Sequence, residues 1–323
     1  MTRNINIDTV RAAVPRIAGV ARRTPLVRLD PVSKDSPEIY LKLEIFQPIA
    51  SFKIRGAMNA VARLSPAEMA DGVWTVSAGN AAQGVALAAR EAGARATVLV
   101  MDTAPATKLA AIERLGASIV KATYDECWKA VETRTSDRMP GRLVHPFDDD
   151  DFISGNGTAA LEMLEDLPDL DAVIAPIGGG GLLSGLGAVL SALRPDARLY
   201  AAEPETAAPL AASLKAGAPV RFPAWQASFV DGAGGKSVLP SMWPLLESTV
   251  SDSIVVTLNE AAAAMKFAAE RARVIIEGAA ACAVAAARSP RIKAAGHRKV
   301  VAVVSGGNID LARFASLTGI CEG

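Results

Sequence analysis

Lys53 lies in Ser51-Phe52-Lys53-Ile54-Arg55-Gly56-Ala57, between an aromatic and a β-branched residue. Apolar neighbours desolvate an amine and lower its pKa. A lysine depressed in this way is both a nucleophile and a base, the two properties that Schiff-base chemistry needs. The same run also reads as a half-buried helix with a snorkelling lysine and a solvated Arg55. A second stretch, Ser77-Ala78-Gly79-Asn80-Ala81-Ala82-Gln83-Gly84, follows an apolar run and opens a helical pattern. Such a strand-to-helix turn aims backbone N–H groups at an anion, with the helix field in support and Asn80 offering an amide. It is equally an ordinary helix start capped by Ser77 or Asn80. In Pro176-Ile177-Gly178-Gly179-Gly180-Gly181-Leu182-Leu183-Ser184-Gly185, glycines between strand and helix let the backbone approach a phosphate closely. No Lys-Ser/Thr follows, which excludes a Walker A loop, and Leu183 and Ser184 stand where a dinucleotide fingerprint needs its third glycine. Gly155-Asn156-Gly157-Thr158-Ala159-Ala160 matches GxGxxA, but no strong strand precedes it, so it is not expected to bind a nucleotide. Finally, Val304-Ser305-Gly306-Gly307-Asn308 places a hydroxyl at a strand's C-terminal edge, where α/β sheets take ligands. Ser305 also reads as a plain turn residue.

The elements that must position these residues alternate. Strand-like runs occur at 38–43, 73–77, 96–101, 118–122, 172–177, 199–203, 254–258 and 300–305. Helical patterns lie between them at 81–91, 105–115, 127–138, 157–165 and 259–271. This alternation predicts an α/β fold with mostly parallel sheets covered on both faces. Residues 62–146 hold several strand-helix units of their own and are expected to form a small α/β domain inserted into a larger one, made of 1–61 and 147–323.

Val173–Leu193 runs without a charge for the length of a membrane span, but Pro176 and the glycines make it a buried strand, a loop and a buried helix. Half of the 323 residues are hydrophobic, enough for substantial cores and against disorder. Lys plus Arg and Asp plus Glu balance at 34 each, which leaves no electrostatic footprint for nucleic acid or an anionic membrane. The three cysteines (Cys127, Cys282, Cys321) are unclustered and there are two histidines, so no zinc constellation is available. The N-terminal residues lack a signal peptide's apolar core, and a cytoplasmic protein is expected.

The SFKIRGA run, the SAGNAAQG turn, the tetraglycine loop and SGGN, in this order, resemble the fold type II pyridoxal-phosphate enzymes, whose fold is that of the tryptophan synthase β chain. Within them the chain is similar to the threonine/serine dehydratase and serine racemase branch, from Arg23-Thr24-Pro25-Leu26 through His145-Pro146-Phe147-Asp148-Asp149 to Asn308. The resemblance implies pyridoxal 5'-phosphate as cofactor, a small amino acid as substrate and a homodimer. It implies that Lys53 carries the cofactor as a Schiff base and takes the substrate Cα proton. Phe52 would pack on the pyridine ring, and Asn80 would bond the phenolic oxygen. Gly178, Gly179, Gly180, Gly181 and Leu182 would cradle the phosphate, Gly232 would line the ring, and Ser305 would face the pyridine nitrogen. Ser77, Ala78, Gly79, Asn80 and Ala81 would form the substrate loop, with Ser77 and the backbone of 79–81 on the carboxylate.

A neutral hydroxyl at the ring nitrogen does not hold it protonated, so the ring is a weaker electron sink and rapid loss of a β-leaving group is favoured. The expected reaction is elimination from a 3-hydroxy-L-amino acid to a 2-oxo acid and ammonia. Racemisation, β-replacement and cofactor binding without turnover are the alternatives. Racemases of this branch carry serine where this chain has Ala78, and a racemase needs an acid on each face. Ala81 stands where threonine and serine enzymes usually show histidine, which enlarges the pocket and suggests a bulky β-substituent such as that of 3-phenylserine. Relatives often bind a divalent cation through a glutamate and a later aspartate. Here Glu203 is present but the later position is Pro209, and no metal is expected. The chain ends soon after SGGN, so feedback by isoleucine through a C-terminal regulatory domain is not expected.

Overall fold

In the computed structural model, which describes residues 3–29 and 36–320, the apolar runs form strands that gather into two sheets. The larger has six strands in the order β1-β2-β10-β7-β8-β9. They are β1 (Leu26–Arg28), β2 (Glu38–Leu43), β7 (Ala172–Pro176), β8 (Arg198–Pro204), β9 (Asp252–Val256) and β10 (Lys299–Val304). All neighbours pair in parallel except β1, which runs antiparallel to β2. The smaller sheet is parallel throughout and takes the order β5-β4-β3-β6, from β3 (Val73–Val76), β4 (Ala96–Met101), β5 (Ser118–Ala122) and β6 (Arg142–Leu143). Its four strands are consecutive in the chain.

Register decides where the chemistry lies. Val304 pairs with Leu43 and Ala302 with Ile174, so the chain leaves β2, β10 and β7 on one edge of the sheet. Parallel strands buried on both faces read as continuous apolar runs, as β7 and β10 do. Behind them the helix Gly278–Ala287 is built almost wholly of alanine and is buried along its length. Small side chains let its backbone approach the sheet closely.

The uncharged run 173–193 resolves into β7, a glycine loop and the helix Gly181–Leu193, and among the described residues no helix is long and apolar enough to cross a membrane. Other expectations shift: the helix expected at 127–138 runs Tyr124–Thr133, because Thr123 caps it in a capping box with Glu126 and Arg134 ends it in a left-handed conformation. The strand expected at 254–258 ends at Val256, because Thr257 caps the next helix in a capping box with Glu260. The helix expected at 157–165 begins at Asp150, capped by the Asp149 side chain on the Phe152 N–H, with acidic residues in its first turn.

That helix, Asp150–Asp166, contains Gly155-Asn156-Gly157, and its glycines serve packing. A Cβ at Gly155 would lie 2.4 Å from the Arg55 carbonyl oxygen, and one at Gly157 would lie 2.8 Å from that of Gly185. A Cβ at Gly56 would fall 2.3 Å from the Phe152 ring, and one at Gly185 2.4 Å from the Ile153 carbonyl oxygen. One long helix therefore holds the helix Lys53–Ala62 on one side and the helix Gly181–Leu193 on the other, in backbone contact.

Elements outside the sheets also meet. Lys108, on the helix Ala106–Glu113, pairs with Asp231. The Lys236 ammonium lies 3.9 Å from the Tyr124 ring centroid and 4.4 Å from that of Trp225, whose Nε1 donates to the Gly234 carbonyl at 2.9 Å.

Candidate active site

Lys53 is the first residue of the helix Lys53–Ala62, and the preceding backbone is tied to the end of β10. The Phe52 N–H donates to the Ser305 carbonyl at 3.0 Å, and Ser51 bridges Gly306. The Lys53 side chain is half-buried, and its Nζ donates to the Pro146 carbonyl at 2.5 Å. The rings of Phe52 and Phe152 each stand 5.3 Å from the amine, measured to their centroids. Desolvation holds its pKa down to about 8. Phe152 supplies the part of the apolar wall that adjacency in sequence could not reveal, since Ile54 turns into the core.

Arg55 is not solvated. Fully buried, it forks onto Glu44 (2.8 and 2.9 Å) and Glu162 (2.7 and 2.8 Å). Lys42 joins Glu162 at 2.5 Å, and Thr24 donates to Glu44 at 2.6 Å. This network fixes the first turn of the Lys53 helix against β2 and the long helix. Arg55 also holds the Glu44 carboxyl below its ordinary value against the opposing effect of burial.

The glycine loop follows β7. Gly180 takes φ +91°, a left-handed conformation that glycine alone adopts cheaply, and the helix Gly181–Leu193 begins directly after it. The first N–H groups of a helix have no helical partner, and here no side chain caps them. The glycines also meet steric demands. A Cβ at Gly179 would fall 2.1 Å from the Phe147 ring, and one at Gly178 would fall 2.7 Å from the Gly232 carbonyl oxygen. Gly232 thus lies against the loop. Pro146 and Phe147, adjacent in sequence, connect the lysine amine to the glycines.

Ser77–Ala81 leaves β3 and starts the helix Asn80–Glu91. Its N-cap is Gly79, without a side-chain cap. Ser77 Oγ accepts from the Gly79 N–H at 3.1 Å. Asn80 turns away from capping: its Nδ2 donates to Glu277 Oε1 at 2.8 Å, and its Oδ1 accepts from Asn308 Nδ2 at 2.8 Å. Residues 77–80 are partly exposed, whereas Ala81 is buried. Ser305, at the end of β10, is buried between the Lys53 segment and this cluster.

Glu277 belongs to the site and was not visible in the sequence. Its carboxyl is buried, and desolvation, aided by the negative charge of Asp231 and opposed by the Asn80 hydrogen bond, pushes its pKa up to about 8. Glu203, by contrast, lies on β8. Its carboxylate accepts from the N–H groups of Leu210 and Ala211 (2.8 Å each) and from the Ser253 hydroxyl at 2.5 Å, so it caps the helix Pro209–Ala216.

The donor set fits one kind of small molecule. Unpaired N–H groups at a helix N-terminus suit a phosphate monoester, a lysine with a depressed pKa suits an aldehyde, and the Asn80 amide and Ser305 hydroxyl suit polar atoms on a ring. Pyridoxal phosphate carries all of these groups. Residues 17–306 match the family described as pyridoxal-phosphate dependent enzyme. An L-threonine ammonia-lyase of Thermotoga maritima is 37% identical over 310 residues, 95% of this chain and 76% of that protein. A serine racemase of Oryza sativa subsp. indica is 38% identical over 315 residues, 95% of this chain and 91% of that one. The solved structure of maize serine racemase superposes with a TM-score of 0.89 at 34% identity, covering 98% of each chain. The chain therefore belongs to the fold type II pyridoxal-phosphate dependent enzymes, in the branch that holds the threonine/serine dehydratases and the serine racemases.

Proposed function

We propose that this enzyme eliminates water from 3-hydroxy-L-amino acids, releasing a 2-oxo acid and ammonia, with a preference for a bulky β-substituent of the 3-phenylserine kind. The observation that carries the reading is the Lys53 amine, depressed to a pKa of about 8 and bonded to Pro146, whose neighbour Phe147 packs on Gly179 of the glycine loop, in a chain whose position 78 is alanine. Bound here, pyridoxal phosphate supplies an aldehyde that condenses with amines and a ring that delocalises charge from the substrate Cα.

The chain's residues do the rest. The N–H groups of Gly178–Leu182 bind the phosphate, and Asn80 and Ser305 orient the ring. The backbone of 79–81 and Ser77 hold the substrate carboxylate. Lys53, as a neutral amine, would take the Cα proton, and the Cβ hydroxyl would leave as water on taking up a proton, so that Cα–H and Cβ–OH are lost together as one water. The resulting enamine takes up water and loses ammonia. Racemisation would require a proton donor on the face opposite Lys53, and loop 77–81 has no side chain that titrates near neutral pH. The substrate preference is supported by Ala81, a small residue buried in the first turn beside the loop.

The test is 2-oxo acid release by the purified, cofactor-loaded enzyme from L-serine, L-threonine, L-threo-3-hydroxyaspartate and L-threo-3-phenylserine, beside a Lys53→Ala control. Oxo acid is expected from the wild type only, fastest from phenylserine, with that preference lost in Ala81→His. Release from none of the four, or D-serine as the main product from L-serine, would sink the elimination reading. Full phenylserine activity in Ala81→His would sink the preference alone.

A further inference from the structure

Asn80 is held from both sides, and the polarity of the arrangement is fixed by a backbone carbonyl. Asn308 Nδ2 donates to the Ile49 carbonyl oxygen at 2.8 Å, an atom that can only accept. The Asn308 amide nitrogen must therefore lie on that side, and it also donates to Asn80 Oδ1 at 2.8 Å. This leaves Asn80 Nδ2 toward Glu277 Oε1, again at 2.8 Å. A flipped Asn80 would set its NH2 against the NH2 of Asn308, a repulsive contact in place of a hydrogen bond, and would give up its own donation to Glu277. Gly306 makes room for the relay: a Cβ there would lie 2.4 Å from Glu277 Oε1 and 3.1 Å from Asn80 Nδ2. The Glu277 backbone N–H meanwhile donates to the Gly306 carbonyl at 3.1 Å, which pins the acid to the loop it serves.

We infer that Glu277 and Asn308 are positioning residues that lock the Asn80 amide in one orientation and leave its second N–H for the phenolic oxygen of the cofactor. This rests on the assignment of Asn80 to that oxygen and deepens it. Other groups acting on Glu277 are Asp231 and Lys108 and the backbone N–H of Asn308. With its pKa near 8 the acid is largely neutral at pH 7, so glutamine is a close substitute that keeps an oxygen acceptor for Asn80.

The experiment compares the pyridoxal-phosphate-loaded wild type with Glu277→Gln, Glu277→Leu, Asn308→Leu and the double Glu277→Leu/Asn308→Leu variant. Two quantities are read: the cofactor dissociation constant and the pH titration of the bound cofactor's visible absorbance. Glu277→Gln is expected to keep the dissociation constant at pH 7 and the spectral midpoint. Glu277→Leu and Asn308→Leu should each weaken cofactor binding by up to about tenfold, the effect of one lost hydrogen bond. Each should shift the spectral midpoint in the same direction, and the double variant should add little, because both residues act through Asn80. Should Glu277→Leu fail to fold, Glu277→Gln and Asn308→Leu still decide the matter. The inference is overturned if glutamine shifts the titration as far as leucine does, or if Asn308→Leu leaves the titration in place. A set that behaves as expected while releasing no oxo acid would remove the elimination reading and keep this one. A wild type that binds no pyridoxal phosphate would remove both.

Discussion

An amine titrating near 8 is neutral roughly a quarter of the time at pH 7.5, whereas an ordinary lysine is neutral about one part in a thousand. Lys53 is therefore prepared for aldehyde chemistry before any cofactor arrives, through its contacts with Phe52 and Phe152. Because only the neutral form attacks, borohydride-trapped incorporation of pyridoxal phosphate at Lys53 should rise with pH through about 8 and then level off, as followed by mass spectrometry of the labelled peptide. A rate still climbing at pH 10, like that of a surface lysine, would show that the amine is not desolvated. Sequence reasoning reached Lys53 because its immediate neighbours are apolar. It could not reach Glu277 or Phe152, which come to the site only through tertiary packing. Nor could it separate a capping Asn80 from one turned into the cleft, since both readings use the same amide.

At the scale of elements, Arg55 carries the largest energetic stake. Removing its charge leaves the buried Glu44 and the half-buried Glu162 without their shared partner, with Lys42 serving Glu162. Arg55→Met is expected to lower stability by about 3–5 kcal/mol, the range for stripping one partner from a buried ionic cluster. It should weaken cofactor retention too, since the Lys53 helix is anchored there; chemical denaturation and cofactor titration check the two effects. A loss below about 1 kcal/mol would make the network no better than a surface ion pair. Elements whose apolar runs are long were legible: β2, β4 and β5 lie where the sequence puts them, and β7 and β10 nearly so. The short β1 and β6 were missed because three and two residues are too few to show alternation. The start of the helix at Asp150 was missed because its acidic run reads as a surface patch, although acids favour a helix N-terminus.

For the molecule as a whole, the contacts of Lys108 and Lys236 are exposed enough to be individually weak. Lys236 between Tyr124 and Trp225, and Lys108 on Asp231, contribute on the order of 1 kcal/mol each at such positions. The double variant Lys108→Gln/Lys236→Gln should leave the unfolding free energy within about 2 kcal/mol of wild type. Hydrogen exchange should nonetheless quicken in the helix Tyr124–Thr133 and around residues 228–238. Unchanged exchange there would mean that the two sheets are joined elsewhere. The contrast with the helix trio is one of heritable freedom. Gly56, Gly155, Gly157 and Gly185 bring backbones together so closely that a single methyl group has nowhere to go, and this part of the molecule, which carries Lys53 and the glycine loop, is closed to gradual revision. Ala81, in the first turn of the helix Asn80–Glu91 that follows β3 of the smaller sheet, is not among those contacts. A lineage in search of a new amino acid to consume can revise its taste there, one residue at a time, while the chemistry it inherited stays intact.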